Sequence, residues 1–276
     1  MNDDSEMMPV QDSRGIRARC MQELRLFFVA LQFFSRMTVP RWVGFDPQWL
    51  QHALRYFPAV GILVALITAL VYIVATLLWP QPVAVLLSTI AGIYLTGAFH
   101  EDGFADTCDG FGGGTTPERV LEIMKDSRVG AYGAIGIMLM LLLKVTTLNS
   151  LSPPAVVAAL LIAHPLSRWM ASVLVWRMDY AKMNGKAKPI AQQMSNPEFG
   201  IATCIVLLPV LVIGFLTSWI AWEGIVVGAL LAGMASFWLA RLFQHRIGGY
   251  TGDCLGAVQQ VAEVAFYLGV LTAIAY

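Results

Sequence analysis

The stretch HEDGFADTCDGFGGG, residues 100–114, sets Glu101, Asp102, Asp106 and Asp109 directly behind a long apolar run. Asp102, Asp106 and Asp109 recur at i, i+4 and i+7, which places them along one face of a helix, with Glu101 and Cys108 off that stripe. Like charges at helical neighbours repel, so such a stripe calls for a cation. Carboxylates without a cysteine or histidine set favour a hard ion, Mg²⁺, which binds few carboxylates and leaves room for water and substrate phosphates. The chemistry this suggests is attack on a phosphate or diphosphate, with His100 beside the stripe as a proton carrier. A zinc protease is not supported, because HEDGF lacks the second histidine of HExxH.

Other residues could serve the same chemistry. Gly110, Gly112, Gly113 and Gly114 either bring backbone N–H groups close to an anion or form a turn that ends the helix. Lys125, Asp126, Ser127 and Arg128 follow just before the next apolar segment and offer cations for phosphate oxygens. Near the C-terminus, Thr251 and Asp253 follow a glycine pair, and Asp253 could complete a second metal or substrate site. Arg168, His164 and Glu263 lie within apolar segments, where an ionisable group is costly and marks either function or an internal ion pair. Lys144, also in such a segment, is expected to snorkel or pair.

The elements that position these groups are membrane helices. With 57% apolar and 13% charged residues, the chain has too little polar surface for water. Segments near the twenty residues needed to cross a bilayer are Tyr56–Trp79, Val83–Phe99, Ala131–Leu151, Ala155–Trp176, Gly200–Trp219, Gly224–Phe243 and Ala257–Tyr276. The expected fold is all-α: a polytopic transmembrane bundle of about seven spans, with Leu24–Phe34 as a short N-terminal interfacial helix or re-entrant piece. Residues 1–20 read as a disordered cytoplasmic tail and 21–276 as a single integral membrane catalytic domain. All Lys and Arg except Lys144 and Arg168 fall in segments that threading puts on one face, which is therefore cytoplasmic and holds the N-terminus and the site. The expected setting is the inner membrane of a bacterial cell. A net charge of zero points to no nucleic-acid partner, and four scattered cysteines make no disulfide or zinc pattern.

The chain resembles the cobalamin synthase family, the adenosylcobinamide-GDP ribazoletransferases. LQFFSRMTVP, RYFPAVG, MKDSRVGAYGAIG and GGYTGDCLGA look like its blocks, and HEDGFADTCDGFGGG matches its H-x-D-G-x-x-D-x-x-D-G signature. The blocks run from about residue 31 to the last span. Two positions depart from the pattern: Glu101 stands where an apolar residue is usual, and Gln260 stands where an acid is expected. The resemblance implies a Mg²⁺-dependent enzyme that joins adenosylcobinamide-GDP to α-ribazole, or to its 5′-phosphate, and releases GMP. Asp102, Asp106 and Asp109 would hold Mg²⁺, and Lys125, Asp126, Ser127, Arg128, Gly112, Gly113, Arg168, Thr251, Asp253 and Glu263 would bind substrate. The base is one aspartate or His100. The oligomeric state and docking of other pathway enzymes stay open. Alternatives are another Asp-rich membrane prenyl- or phosphotransferase, although the DGxxAR of CDP-alcohol phosphotransferases is absent, or a divalent-cation transporter.

Overall fold

The computed structural model describes residues 13–44, 46–181 and 193–275, and the expectations for 1–12, 182–189 and Tyr276 lie outside them. The chain is all-helical, with one isolated bridge, Tyr180 to Tyr250, and no strand among the described residues. Its helices are α1 (Ser13–Phe34), α2 (Pro47–Ala53), α3 (Phe57–Thr76), α4 (Gln81–Thr96), α5 (Phe99–Gly113) and α6 (Pro117–Ile123). They continue with α7 (Ala131–Asn149), α8 (Pro153–Arg177), α9 (Asn196–Leu216), α10 (Trp222–Ile247) and α11 (Gly252–Ala275). Prolines open α2, α3, α4, α6, α8 and α9, where a missing N–H costs nothing.

Six helical stretches, those ending in α3, α7, α8, α9, α10 and α11, are long and apolar enough to cross a membrane, and the bent pair α4–α5 makes a seventh. The protein is a multi-pass membrane protein. α8 and α11 are buried along most of their length, whereas α7, α9 and α10 carry exposed apolar stripes. Ile135, Met138, Leu139 and Leu142 on α7, or Leu230, Met234 and Phe237 on α10, recur every three or four residues and form a bilayer-facing rim.

Links between helices sort onto two faces. On one, Arg36 N–H donates to Leu95 O, Arg55 pairs with Glu198, and Tyr250 N–H donates to Asp179 O. These contacts join the end of α1 to the end of α4, the start of α3 to the start of α9, and the segment after α8 to the α10–α11 link. On the other, Gln81 Nε2 donates to Asn149 O and Leu151 O, which ties the start of α4 to the α7–α8 link.

One feature differs from the sequence-based expectation. α1 begins at Ser13, so residues 13–20 are helix, not tail. It buries Leu26, Val29, Ala30, Leu31 and Phe34 and packs on α2 and α3, which makes it a partly buried amphipathic helix. The acidic stretch forms a helix of its own, α5, set at a sharp angle to α4. Gly97 (φ 68°) and Ala98 (φ 60°) are both left-handed, and α5 leaves α4 at 88°. Ala98 is the one non-glycine residue with positive φ among those described, a strained conformation held by the packing around it.

Close approach fixes where α5 lies. A Cβ at Gly103 would come 2.9 Å from Asp253 Cα, so α5 crosses α11 backbone to backbone at its first turn. Gly103→Ala must push the two helices apart. We expect a loss of about 1–3 kcal/mol in stability together with reduced activity, measured by thermal unfolding and turnover of one preparation. Unchanged values for both would mean that this crossing is not close.

Candidate active site

α5 presents two different sides. Asp102 is exposed and Asp106 half-buried, and neither has a hydrogen bond or ion pair among the described residues. The charges of Asp102, Asp253 and Asp109 all bear on Asp106, and Lys125 bears on Asp253. Asp253 reaches this group because α11 starts where α5 crosses it. Thr251 caps that helix, accepting from Cys254 N–H at 3.3 Å. The sequence-predicted residues Asp102, Asp106, Asp253, Thr251 and Lys125 thus meet in one place, although 144 residues separate Asp109 from Asp253.

Asp109 does other work. Its Oδ2 accepts from Gly130 N–H at 2.7 Å and its Oδ1 from Gly133 N–H at 2.8 Å. Gly130 is the N-cap of α7 and has no side chain to offer. A buried carboxylate from α5 therefore satisfies the first N–H groups of α7 and meets the positive end of its dipole. Removing it in Asp109→Ala leaves both donors unpaired and is expected to cost about 2–3 kcal/mol, read by thermal unfolding. Asp109→Asn keeps an acceptor and should cost less. A stable Asp109→Ala protein would show that the cap does not hold α7.

The glycine run is helical rather than a loop. α5 continues through Gly113, and Gly114 N–H donates to Gly110 O. A Cβ at Gly112 would meet the Tyr132 ring at 2.5–2.8 Å, so this glycine allows α7 to approach. The expected anion loop from Gly112 and Gly113 is not formed, because their N–H groups belong to the helix. Arg246 Nη2 donates to Gly114 O at 2.7 Å, with its guanidinium 5.5 Å from the Phe111 ring centre. It caps the negative end of α5.

Arg128 binds Asp126 through two nitrogens, Nε to Oδ1 at 2.9 Å and Nη2 to Oδ2 at 2.6 Å. The guanidinium holds the Asp126 carboxyl down to about 2, and the carboxylate raises Arg128 in turn. Both residues line an open cleft of about 640 Å³ between the end of α5, α6 and the start of α7, with Arg119 and Asp109. Ser127, next to them, is exposed.

The other side of α5 faces inward. His100 is 2% exposed and stacks on Phe57, ring centres 5.7 Å apart. It does not join the Asp102–Asp106 side, as a proton carrier there would require. Glu263, 1% exposed, collects four partners: Lys144 Nζ at 2.5 Å, Gln259 Nε2 at 2.6 Å, Tyr267 OH at 3.0 Å and His164 Nδ1 at 3.3 Å. Lys144 therefore pairs inside rather than snorkelling. Arg168 donates to His164 O at 2.9 Å and lies 5.7 Å from the Phe57 ring centre. Gln260 Nε2 donates to Glu101 Oε1 at 2.9 Å. The two departures from the family pattern are thus one contact between α5 and α11.

Among the described residues, no three His, Cys, Asp or Glu side chains close on a single point that could hold a metal. Two uncommitted aspartates beside a third fit Mg²⁺ of the kind that completes its shell with water and phosphate oxygens.

The family model described as cobalamin-5-phosphate synthase matches residues 26–271. A curated adenosylcobinamide-GDP ribazoletransferase of Shewanella frigidimarina is 47% identical, covering 91% of this chain and 95% of its own. Those of Leptothrix cholodnii and Ralstonia nicotianae are 43% and 45% identical, covering 93% and 90% of this chain and 98% and 95% of theirs. No solved structure matches at a significant level. A match across nearly all the described bundle, including both acidic helices that meet at Gly103 and Asp253, means that the chain belongs to the cobalamin-5-phosphate synthase family.

Proposed function

We propose that the face formed by Asp102, Asp106 and Asp253 is where this transferase joins adenosylcobinamide-GDP to α-ribazole or its 5′-phosphate. The convergence of two uncommitted aspartates of α5 with Asp253 of α11 carries this reading. A ribose hydroxyl of the acceptor forms a bond to the cobinamide-proximal phosphorus. The phosphoanhydride bond to the second phosphorus breaks, GMP leaves, and the hydroxyl proton passes to a carboxylate.

Asp102 and Asp106 are the residues that would hold Mg²⁺, which when bound supplies positive charge to the diphosphate oxygens. Asp109 anchors α7 instead of joining that pair. Lys125, beside Asp253, neutralises charge on the departing phosphate. The cleft containing Arg119 and Arg128 gives the guanosine end room and cations, provided Arg128 exchanges Asp126 for phosphate oxygens. Because His100 faces the other way, the proton goes to a carboxylate of the acidic set. The basic face lies toward the cytoplasm of a cell whose inner membrane holds the bundle, following the bias of Lys and Arg.

Purified protein in liposomes, given both substrates, is expected to form the corrinoid product and GMP in equal amounts with Mg²⁺ and neither with EDTA. Cation flux through the same vesicles without corrinoid would favour transport instead, and full turnover in EDTA would remove Mg²⁺ from the mechanism.

A further inference from the structure

A groove of about 400 Å³ runs between the last two turns of α8 and the second half of α10. Met170, Val173, Leu174 and Arg177 line it from α8, spaced i, i+3, i+4 and i+7, so a single stripe of that helix faces it. Gly233, Phe237, Ala240, Arg241 and Gln244 line it from α10 on a matching stripe. Phe237 belongs to the exposed apolar rim of α10, which opens the groove toward the bilayer. From Gly233 to Gln244 the helix rises about 16 Å, close to half of a hydrocarbon core of about 30 Å. The groove is therefore about one leaflet deep.

Its polarity is graded along that depth. The deep part is apolar, and the one hydroxyl there, Ser236 Oγ, donates to Ala232 O at 2.7 Å. Arg177, Arg241 and Gln244 stand at the shallow end, and no Asp or Glu is in the lining. The segments that follow the two helices are tied together, since Tyr250 N–H donates to Asp179 O and Ala181 N–H to Tyr250 O. Asp179, the nearest acid in sequence to Arg177, lies outside the lining. Arg55, Arg119 and Arg128 each hold a carboxylate, whereas Arg177 and Arg241 are in no ion pair among the described residues. Arg177 instead keeps its guanidinium 4.3 Å from the Trp176 ring centre. An apolar slot one leaflet deep, with two uncompensated guanidinium groups at its headgroup end, is the complement of an acyl chain that carries a negative phosphate.

We propose that this groove is a binding site for one anionic phospholipid, with an acyl chain along the apolar stripes and the phosphate between Arg177 and Arg241. The site is separate from the acidic face of α5 and takes no part in the transfer. Its lipid bridges the ends of α8 and α10, next to the link from which α11 and Asp253 start.

The probe is phosphatidylglycerol added to the purified full chain in detergent, with phosphatidylcholine of the same chains as control and binding read by native mass spectrometry. The wild type is expected to bind phosphatidylglycerol at least tenfold more tightly than phosphatidylcholine. Arg177→Gln together with Arg241→Gln weakens phosphatidylglycerol about thirtyfold, the effect of two charges at about 1 kcal/mol each, and leaves phosphatidylcholine unchanged. Both arginines are exposed, so the fold does not depend on them. Gly233→Leu fills the apolar part instead. A Cβ there meets Met170 Cε at 3.8 Å, an ordinary contact, so the helices need not move, and both lipids are expected to weaken at least tenfold. Equal affinity for the two lipids in the wild type, or no effect of the arginine pair, overturns the phosphate site. Unchanged binding in folded Gly233→Leu overturns the acyl slot. Displacement of the lipid by millimolar inorganic phosphate would make this a free-anion site, and a dimer in the same spectra that Gly233→Leu splits would give the groove to a second copy; either result overturns the assignment. If Gly233→Leu fails to fold, the arginine pair and the phosphate competition still decide.

Discussion

Asp106→Asn cuts GMP release by about 10³-fold, which corresponds to roughly 4 kcal/mol of transition-state stabilisation. Asparagine fills the same space and leaves one oxygen, but it carries no charge to hold a divalent cation against a diphosphate. Asp106 has no hydrogen bond or ion pair among the described residues, and three other carboxylates crowd it. The fold therefore gives up nothing, and relief of like-charge repulsion leaves thermal stability equal or slightly raised. Asp102→Asn behaves the same way, since Asp102 is exposed and equally uncommitted. Loss of activity without loss of stability is the signature that separates these residues from Asp109. Activity within tenfold of wild type in both variants would remove the pair from the chemistry.

Glu263→Gln has the largest expected effect on the fold. Lys144 and Arg168 lie buried near that carboxylate, at 5% and 1% exposure, and Glu263 is their shared counter-charge, with His164 Nδ1 a further neighbour at 3.3 Å. Removing one member of a buried pair costs about 3–5 kcal/mol, because the remaining charge stays uncompensated. The variant is expected to unfold at a clearly lower temperature in detergent. Replacing both partners, Lys144→Met with Glu263→Gln, recovers most of the loss, and the difference from additivity measures their coupling. A single variant as stable as wild type would show that the pair does not hold α7 to α11.

Much of this was legible in the sequence, for identifiable reasons. Long apolar runs stand out because the bilayer sets their length. The spacing of Asp102, Asp106 and Asp109 revealed one helical stripe. It did not reveal that the stripe divides between two tasks, because the partners of Asp109 are backbone N–H groups at Gly130 and Gly133, which leave no side-chain pattern. The 88° turn at Gly97–Ala98 was hidden for a similar reason: an alanine with positive φ is imposed by packing, not by propensity. Glu101 and Gln260 looked like two unrelated departures, and only folding brings residues 159 apart into one hydrogen bond.

The most direct measurement is a change of metal preference at Asp106. Asp106→Cys replaces a hard carboxylate oxygen with a soft thiolate, which binds Mg²⁺ poorly and softer divalent ions well. In purified protein with both substrates, GMP release by this variant is expected to be lost in Mg²⁺ and to return at least partly when Cd²⁺ is added. Wild-type protein under the same conditions gains nothing from Cd²⁺. An Asp106→Cys variant that turns over normally in Mg²⁺ alone would contradict the assignment of the acidic face of α5 to the diphosphate.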